Sequence, residues 1–273
     1  MKVSQLLGTT LRESSHGTDL VSHDLMVRAG VIRQLGAGIF SYMHLGWRSM
    51  RKVEQIIREE MDRIGGVELN MPVVHPAEIW KKTNRYNEID DSMVRFTDRK
   101  ESDMVLAMTH EEVVSELART EISTYKQLPV LIYQMQTKFR DEARSRGGLI
   151  RVREFVMKDS YSLDTSWENL QIQYDAHYDA YFRIYGRSGL PVIAIQSDVG
   201  MMGGKMAHEY MYVNEIGEDT IFICDTTGYM ANKEVATIRK TYPDAAPEAL
   251  EKVHTPAKKT IQELAEFLGI EAH

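Results

Sequence analysis

Two long stretches of the chain carry apolar side chains at the spacing of one face of a helix. The first comprises Trp47, Met50, Val53, Ile56, Ile57, Met61 and Ile64, followed by Gly65 and Gly66. The second comprises Leu170, Tyr174, His177, Tyr178, Tyr181, Phe182 and Tyr185, preceded by Ser166 and ended by Gly186. Serine is a common N-cap, and glycine commonly follows the last turn. Each stretch therefore predicts a long amphipathic helix, with His177 as a partly buried scaffold residue.

Between these helices the pattern predicts a β-hairpin over residues 129–162. The apolar run from Pro129 to Met135 has the length of a strand, and Val152, Phe155 and Val156 lie in a second, alternating run. A polar loop containing Gly147 and Gly148 separates the two runs. Further strands are predicted at 36–46, 94–98, 103–108, 190–198, 206–214 and 220–224. Interspersed helices and strands of this kind indicate an α+β fold.

Weaker patterns complete the chain. Ser22 can cap a helix that continues through Ile32 until Gly36. Residues 67–76 predict one short strand with Pro72 near its end, where the missing amide donor is tolerated. Beyond residue 236 a polar linker precedes an amphipathic stretch at 260–270. The linker prolines are Pro243, Pro247 and Pro256.

Composition limits the possible functions. The chain has 273 residues, 43% apolar and 27% charged, with a formal net charge of -7, so any contact with RNA would use local patches rather than the overall charge. The one cysteine, Cys224, excludes an intramolecular disulfide and a four-thiolate zinc site, and we expect it to be a buried apolar residue. No segment approaches the roughly 18 apolar residues of a membrane span. The first residues lack a signal-peptide pattern, so a cytoplasmic location is expected.

The polar loop and second strand of the hairpin combine basic, acidic and aromatic residues. They contain Arg140, Glu142, Arg151, Arg153, Glu154 and Phe155. Guanidinium groups bind phosphate oxygens in pairs, a carboxylate can accept from an exocyclic amine, and a phenyl ring can stack on a purine. The pattern therefore suits a nucleotide. A solvated basic hairpin with alternating ion pairs explains the same charges equally well.

A second candidate segment is Thr109-His110-Glu111-Glu112, which opens a predicted helix. Thr109 as the N-cap and Glu112 three residues later would form a capping box, which is a purely structural explanation. A zinc-protease site is excluded, because the HExxH motif requires histidine where this chain has Val114. The glycines around 200–204 do not form the GxGxxG motif of dinucleotide-binding proteins.

The order Arg-x-Glu, loop, Arg-x-x-x-Phe-x-x-x-Asp resembles motif 2 of the class II aminoacyl-tRNA synthetases. The matching residues are Arg140, Glu142, Arg151, Phe155 and Asp159. The resemblance implies that Arg140 binds the α-phosphate of ATP and the amino-acid carboxylate, and is the catalytic residue. It also implies that Glu142 accepts from the adenine amine, Phe155 stacks on the base, and Arg151 reaches the outer phosphates.

Within that class, the stretch REFVMKDSYSL and the upstream THEE look like the bacterial form of prolyl-tRNA synthetase. The resemblance implies that Thr109 and Glu111 bind proline, with Glu111 taking the imino nitrogen, and that His208 lines the pocket. The chain departs from the family at Ala107-Met108, where relatives usually have Gly-Pro, and at 145–148. It also has Thr227 where relatives often carry the second cysteine of a Cys-x-x-Cys pair, so no metal site is inferred.

The same resemblance implies a fold and a set of partners. The expected fold is an antiparallel synthetase sheet flanked by helices, with residues 1–236 as catalytic core and 237–273 as linker and the start of an editing insertion. The third motif is missing from the sequence, so a truncated product or one half of a split enzyme is expected, with a second polypeptide completing the site. The implied partners are proline, ATP with Mg²⁺, tRNA(Pro) and a second copy, bound through the helix at 47–64. A catalytically inactive binding or dimerisation module is the alternative.

Overall fold

A computed structural model describes residues 2–13, 20–200, 203–238 and 252–271. The described helices are α1 (Val21–Arg28), α2 (His44–Arg63), α3 (Ala77–Lys82), α4 (Arg85–Glu88), α5 (Glu111–Glu121), α6 (Trp167–Arg187) and α7 (Ile261–Leu268). The first strands are β1 (Ile32–Gly36), β2 (Ile39–Tyr42), β3 (Val67–Glu68), β4 (Val74–Pro76), β5 (Arg95–Thr97) and β6 (Asp103–Leu106). They are followed by β7 (Val130–Phe139), β8 (Glu154–Leu163), β9 (Ile193–Ser197), β10 (Ala207–Met211), β11 (Ile221–Ile223) and β12 (Met230–Asn232).

The strands form a hairpin and three small sheets that are mainly antiparallel. The strand orders are β1-β2, β3-β7-β8, β4-β6-β5 and β10-β9-β12-β11. Parallel pairing occurs between β3 and β7 and between β12 and β9. Backbone hydrogen bonds from Ala107 to Val73 and from Phe139 to Ala107 join the β4-β6-β5 sheet to β7. The predicted α+β architecture with antiparallel strands and flanking helices is confirmed.

The β7–β8 hairpin is the longest strand pair among the described residues, and its two faces have different neighbours. On one face Tyr133 donates to Asp62 of α2 at 2.6 Å, and Lys158 donates to Tyr181 of α6 at 2.6 Å. We call this the helix-covered face. Because directly paired residues share a face, Gln134 with Asp159 and Lys138 with Phe155 lie on the other one. We call this second face the loop face; its Gln134 accepts from Met71 N at 2.9 Å, and its Lys138 donates to His110 Nδ1 at 2.5 Å.

The two long helices that cover the hairpin are held together by a buried carboxylate. Glu60 of α2 is fully buried and accepts from Arg183 Nε at 2.6 Å and Arg187 Nη1 at 2.8 Å, both on α6. Burial alone would raise the pKa of Glu60, but the two arginine hydrogen bonds outweigh it and hold the pKa below its usual value. Both predicted amphipathic helices are confirmed, and the Ser166 hydroxyl accepts from Asn169 as an N-cap.

A compact apolar core supports the segment that precedes α5. Its buried members are Ala77, Trp80, Ile89, Met93, Val105 and Met108. The Trp80 indole donates to His75 Nδ1 at 3.2 Å, so the one polar atom of this large side chain is satisfied. The core therefore fixes β4, β6 and the residues that follow β6.

Three local predictions were wrong. The first helix ends at Arg28 rather than Ile32, because Gly30 takes a positive φ and residues from Ile32 pair with β2; its N-cap is Leu20, not Ser22. Residues 67–76 form two strands in different sheets, since Pro72 interrupts them. Cys224 is only half-buried, in the turn between β11 and β12. The predicted linker lies largely outside the described residues, while α7 agrees with the amphipathic stretch at 260–270.

Candidate functional site

The segment between β6 and α5 is fixed by backbone hydrogen bonds on both sides. Ala107 N donates to Val73 O at 2.8 Å, and Ala107 O accepts from Phe139 N at 2.9 Å. Ala107 and Met108 are both buried. The Ala107-Met108 departure from the family pattern therefore sits in a well-anchored backbone.

Thr109 and Glu111 interact directly at the start of α5. The Thr109 hydroxyl donates to the Glu111 carboxylate. The helix begins at Glu111 with His110 as its N-cap, and no side chain caps it, so the predicted Thr109–Glu112 capping box is wrong. Thr109 is buried, whereas the Glu111 side chain is 36% exposed. The carboxylate of Glu111 thus remains accessible beside a fixed hydroxyl.

Arg140 connects the hairpin to this segment. Its guanidinium donates to Met108 O from Nε at 3.3 Å and from Nη2 at 3.2 Å. The guanidinium also lies over the Phe155 ring, 5.5 Å from its centre. Burial lowers the pKa of Arg140, and the charges of Glu142 and Glu111 oppose that shift; an arginine remains charged in such surroundings. The structure therefore brings Arg140, Phe155 and the residue before Thr109 into one group.

Two more motif 2 residues, Glu142 and Arg151, lie in the loop between β7 and β8, whereas Asp159 lies within β8. Arg151 Nε donates to Glu142 at 3.0 Å. The loop is closed by reciprocal backbone hydrogen bonds of 3.1 Å between Arg146 and Arg151. Arg146 also pairs with Glu218. The ion-paired surface hairpin proposed as an alternative is thus present in this loop, while Arg140 lies half-buried at its base.

A buried cluster of charges on the loop face was missed by the sequence analysis. Lys138 is fully buried, and its ammonium donates to Asp159 Oδ1 at 2.8 Å and to His110 Nδ1 at 2.5 Å. Asp159 Oδ2 accepts from Gln134 at 2.9 Å and from Tyr161 Oη at 2.7 Å. Burial, followed by the nearby Glu111 charge, raises the pKa of Tyr161. Residues from β7, β8 and α5 take part, so only tertiary structure reveals the cluster.

Arg85 is a second residue that the sequence analysis did not assign. Its Nη1 donates to Glu112 Oε1 at 2.6 Å and lies 3.9 Å from Glu111 Oε2. Burial raises the pKa of Glu112, and the Arg85 charge opposes this. Arg85 of α4 therefore pairs with Glu112 and lies within 4 Å of Glu111.

His208 contacts side chains of α6. Its Nδ1 is 2.7 Å from the Tyr174 hydroxyl, and its ring packs edge-on against Tyr178. Both tyrosines belong to α6, which covers the opposite face of the hairpin. His208 and His177 line a cavity of about 250 Å³ between α6 and β10.

Among the described residues, no group of three or more His, Cys, Asp or Glu side chains could hold a metal ion. No described helix is long and apolar enough to cross a bilayer.

Residues 94–264 match the family model of the tRNA synthetase class II core domain (G, H, P, S and T). The chain belongs to the class II tRNA synthetases. The matched range contains the Thr109–Glu111 segment and all of motif 2. It is also more than half of the chain.

Similar proteins of this class are known in sequence and structure. The chain is 52% identical over 273 residues to the proline–tRNA ligase of Salinispora tropica, covering 100% of this chain and 46% of that protein. It is 50% identical over 272 residues to the proline–tRNA ligase of Ralstonia pickettii, covering 99% and 47%. The chain thus spans about half the length of the curated relatives it matches. The resemblance to the bacterial prolyl form is confirmed.

Solved structures agree on the class II fold. The Giardia lamblia prolyl-tRNA synthetase in complex with prolyl-adenylate matches with a TM-score of 0.59 and 20% identity, covering 63% of this chain and 36% of that one. The Cryptosporidium parvum prolyl-tRNA synthetase complexed with L-proline and AMP matches with a TM-score of 0.61 and 14% identity, covering 68% and 38%. Because the sequence identities are this low, these two matches establish a shared fold only.

Proposed function

We propose that this chain provides the proline-binding and motif 2 part of a proline–tRNA ligase. The observation that carries the proposal is the pair of hydrogen bonds from the Arg140 guanidinium to Met108 O, 3.2 and 3.3 Å long. They hold a half-buried cation next to the Thr109–Glu111 pair. An amino acid bound there would have a carboxylate acceptor for its ammonium and a cation for its carboxylate. The relatives that share about half of the sequence are proline–tRNA ligases.

The proposed reaction begins with activation of proline. The proline carboxylate attacks the α-phosphorus of ATP, an acyl–phosphate bond forms, the α–β phosphoanhydride breaks, and pyrophosphate leaves. Glu111 would accept from the secondary ammonium of proline, while Thr109 holds the Glu111 carboxylate. Arg140 would neutralise charge on the carboxylate and the α-phosphate, which is the main task in such a displacement.

The rest of motif 2 would bind the nucleotide. Phe155 offers a ring face for adenine, and Glu142 an acceptor for its amino group. Arg151, 47% exposed and paired with Glu142 at 3.0 Å, would turn toward the outer phosphates when ATP enters. Mg²⁺ would arrive bridging those phosphates, and the described residues supply no three-ligand cluster of their own for it.

We also propose the partners and organisation that the family implies. These are tRNA(Pro) as acceptor, a second polypeptide that supplies motif 3 and the anticodon-binding domain, a catalytic core over 1–236 and a cytoplasmic location. A homodimer through α2 is supported by its exposed apolar side chains, Leu45, Trp47 and Val53. Gel filtration of variants that place charges at these positions tests the dimer, and a monomeric wild type would contradict it.

Proline-dependent exchange of labelled pyrophosphate into ATP tests the proposed activity. The assay is run on this chain alone and mixed with the product encoded immediately downstream. We expect exchange with proline and its loss in Arg140→Ala, with Arg144→Ala, an exposed arginine of the same loop, as the matched control. Exchange in neither sample, with no proline binding by calorimetry, would reject the proposal. Proline binding without exchange would favour the inactive binding module.

A further inference from the structure

The buried Lys138 cluster lies directly behind the proposed proline site. The cluster consists of Lys138 on β7, Asp159 on β8 and His110 at the start of α5. Lys138 and His110 are both fully buried. Taking an ammonium and a carboxylate out of water costs several kcal/mol per ion, so such a pair is weak evidence for stability alone. The cluster lies next to the Thr109–Glu111 segment, so a role in substrate binding is the alternative explanation.

Hydrogen bonds define the state of His110 within this cluster. Nδ1 accepts from Lys138 Nζ at 2.5 Å, and Nε2 donates to Pro72 O at 2.9 Å. With one nitrogen accepting and the other donating, the ring is the neutral Nε2–H tautomer. Burial and the adjacent Lys138 charge lower the pKa of His110, so the ring stays neutral beside the cation.

The same Pro72 carbonyl also accepts from His75 Nε2 at 2.9 Å, and His75 Nδ1 accepts from Trp80. His110 thus ties the backbone at Pro72 to Lys138, and His75 ties it to Trp80. On the other side of Lys138, Asp159 holds the Tyr161 hydroxyl at 2.7 Å. The titratable groups around His110 are therefore Lys138, Asp159, Tyr161, His75 and the adjacent Glu111 and Glu112.

His110 stands between Thr109 and Glu111 in the chain and is the N-cap of α5. Its ring, held by Lys138 and by Pro72 O, anchors the backbone between the two residues that we assign to proline. We propose that Lys138 is a positioning residue for the amino-acid site, holding His110 as a neutral acceptor and thereby fixing Thr109 and Glu111. The inference rests on the proposed function. It predicts that Lys138 affects the affinity for proline but not the affinity for ATP. The nucleotide would be bound by Arg140, Phe155 and the loop between β7 and β8.

Calorimetry of proline and of ATP binding to wild type and Lys138→Met tests the assignment. We expect proline affinity to fall by about tenfold or more, since small displacements of positioning groups are costly. ATP affinity should stay within about twofold. Lys158→Met is the matched control, because Lys158 lies on the helix-covered face of β8 and donates to Tyr181 at 2.6 Å. Its proline affinity should match that of wild type.

A double variant separates positioning from stability. Lys138→Met alone leaves the Asp159 carboxylate buried without its cation and should lower the melting temperature. Lys138→Met with Asp159→Asn removes both charges, so stability should recover while proline affinity stays weak. If the double variant binds proline as wild type does, Lys138 only balances charge and the inference fails.

The titration of His110, followed by NMR with ¹⁵N-labelled histidine and assigned with His110→Gln, gives a readout independent of proline. We expect the midpoint to lie higher in Lys138→Met than in wild type, and equal midpoints would overturn the inference. Unchanged proline affinity in Lys138→Met would overturn it while the proposed function stands. A wild type that binds no proline would overturn both.

Discussion

At the scale of single residues, two adjacent glutamates have different environments. The Glu112 side chain is 1% exposed and is bound by Arg85 at 2.6 Å. The Glu111 side chain is 36% exposed, with one oxygen fixed by Thr109. Glu112 is thus committed to the scaffold, whereas Glu111 can still accept from a ligand. The difference supports our proposal that Glu111, and not Glu112, binds the substrate.

Replacing Glu111 with glutamine tests this assignment. The substitution keeps the size of the side chain but removes the charge that a secondary ammonium requires. Charge-assisted hydrogen bonds contribute about 1.5–3 kcal/mol, so proline affinity should fall by roughly 10- to 100-fold. Calorimetry measures the change, with Glu116→Gln on the exposed side of the same helix as control. Equal affinities of wild type and Glu111→Gln would contradict the role.

His208 provides a second test at this scale. The family resemblance assigns it to the proline pocket, yet its ring packs on Tyr174 and Tyr178 of α6. We therefore expect His208→Ala to change proline affinity less than about threefold, since no direct contact with the ligand would be lost. A loss as large as that of Glu111→Gln would instead place His208 in the pocket.

At the scale of elements, the β1–β2 hairpin supports the motif 2 loop. Arg153 N donates to Gly38 O at 2.8 Å, and Gly38 has a φ of +67°. A Cβ on Gly38 would lie 2.8 Å from Ser145 Cβ and 2.9 Å from Arg153 Cγ. The N-terminal hairpin and the loop between β7 and β8 are therefore in direct contact.

Gly38→Ala should consequently impair the motif 2 loop. Gly65→Ala is the matched control, because Gly65 also has a positive φ, +88°, but a Cβ there would meet nothing within 4 Å. Both variants should lose about 1–2 kcal/mol of unfolding free energy, because alanine disfavours the left-handed backbone, and the close contacts at Gly38 should add to the loss in Gly38→Ala. Only Gly38→Ala should also weaken ATP binding, measured by titration. Equal ATP affinities in the two variants would show that the β1–β2 hairpin does not support ATP binding by the motif 2 loop.

The sequence predicted those elements whose pattern persists over many residues. Long periodic stretches predicted the helices α2 and α6 and the β7–β8 hairpin. The motif 2 residues could therefore be placed on the hairpin and its loop. The segment 67–76 was too short for its pattern to reveal that Pro72 separates two strands. The cluster of Lys138, His110 and Asp159 combines residues that are far apart in sequence. Strand pairing brings them together, and a local sequence pattern cannot predict that contact. Arg85 was missed for the same reason.

At the scale of the whole molecule, buried ionisable groups are concentrated between the elements. Glu60 joins α2 to α6, Glu112 joins α5 to α4, and Lys138 joins the hairpin to α5. His75 and His110 are both fully buried beside the last of these. Protonation of such groups must therefore affect the stability of the assembled sheets and helices together.

Stability should fall as the pH decreases from 6.5 toward 4. Burial, followed by the neighbouring His110 ring and the Lys138 charge, lowers the pKa of His75 from 6.5 to about 4, and burial also lowers the pKa of His110 and His177. Between these pH values the unfolded chain binds protons that the folded chain does not, so acid favours unfolding. For His75 the effect is at most about 3 kcal/mol. Urea unfolding at pH 7, 6, 5 and 4.5 measures it, and the slope should be smaller in His75→Gln, whose amide can still accept and donate. Equal stability at pH 7 and 4.5 would show that these histidines are not neutral in the folded protein.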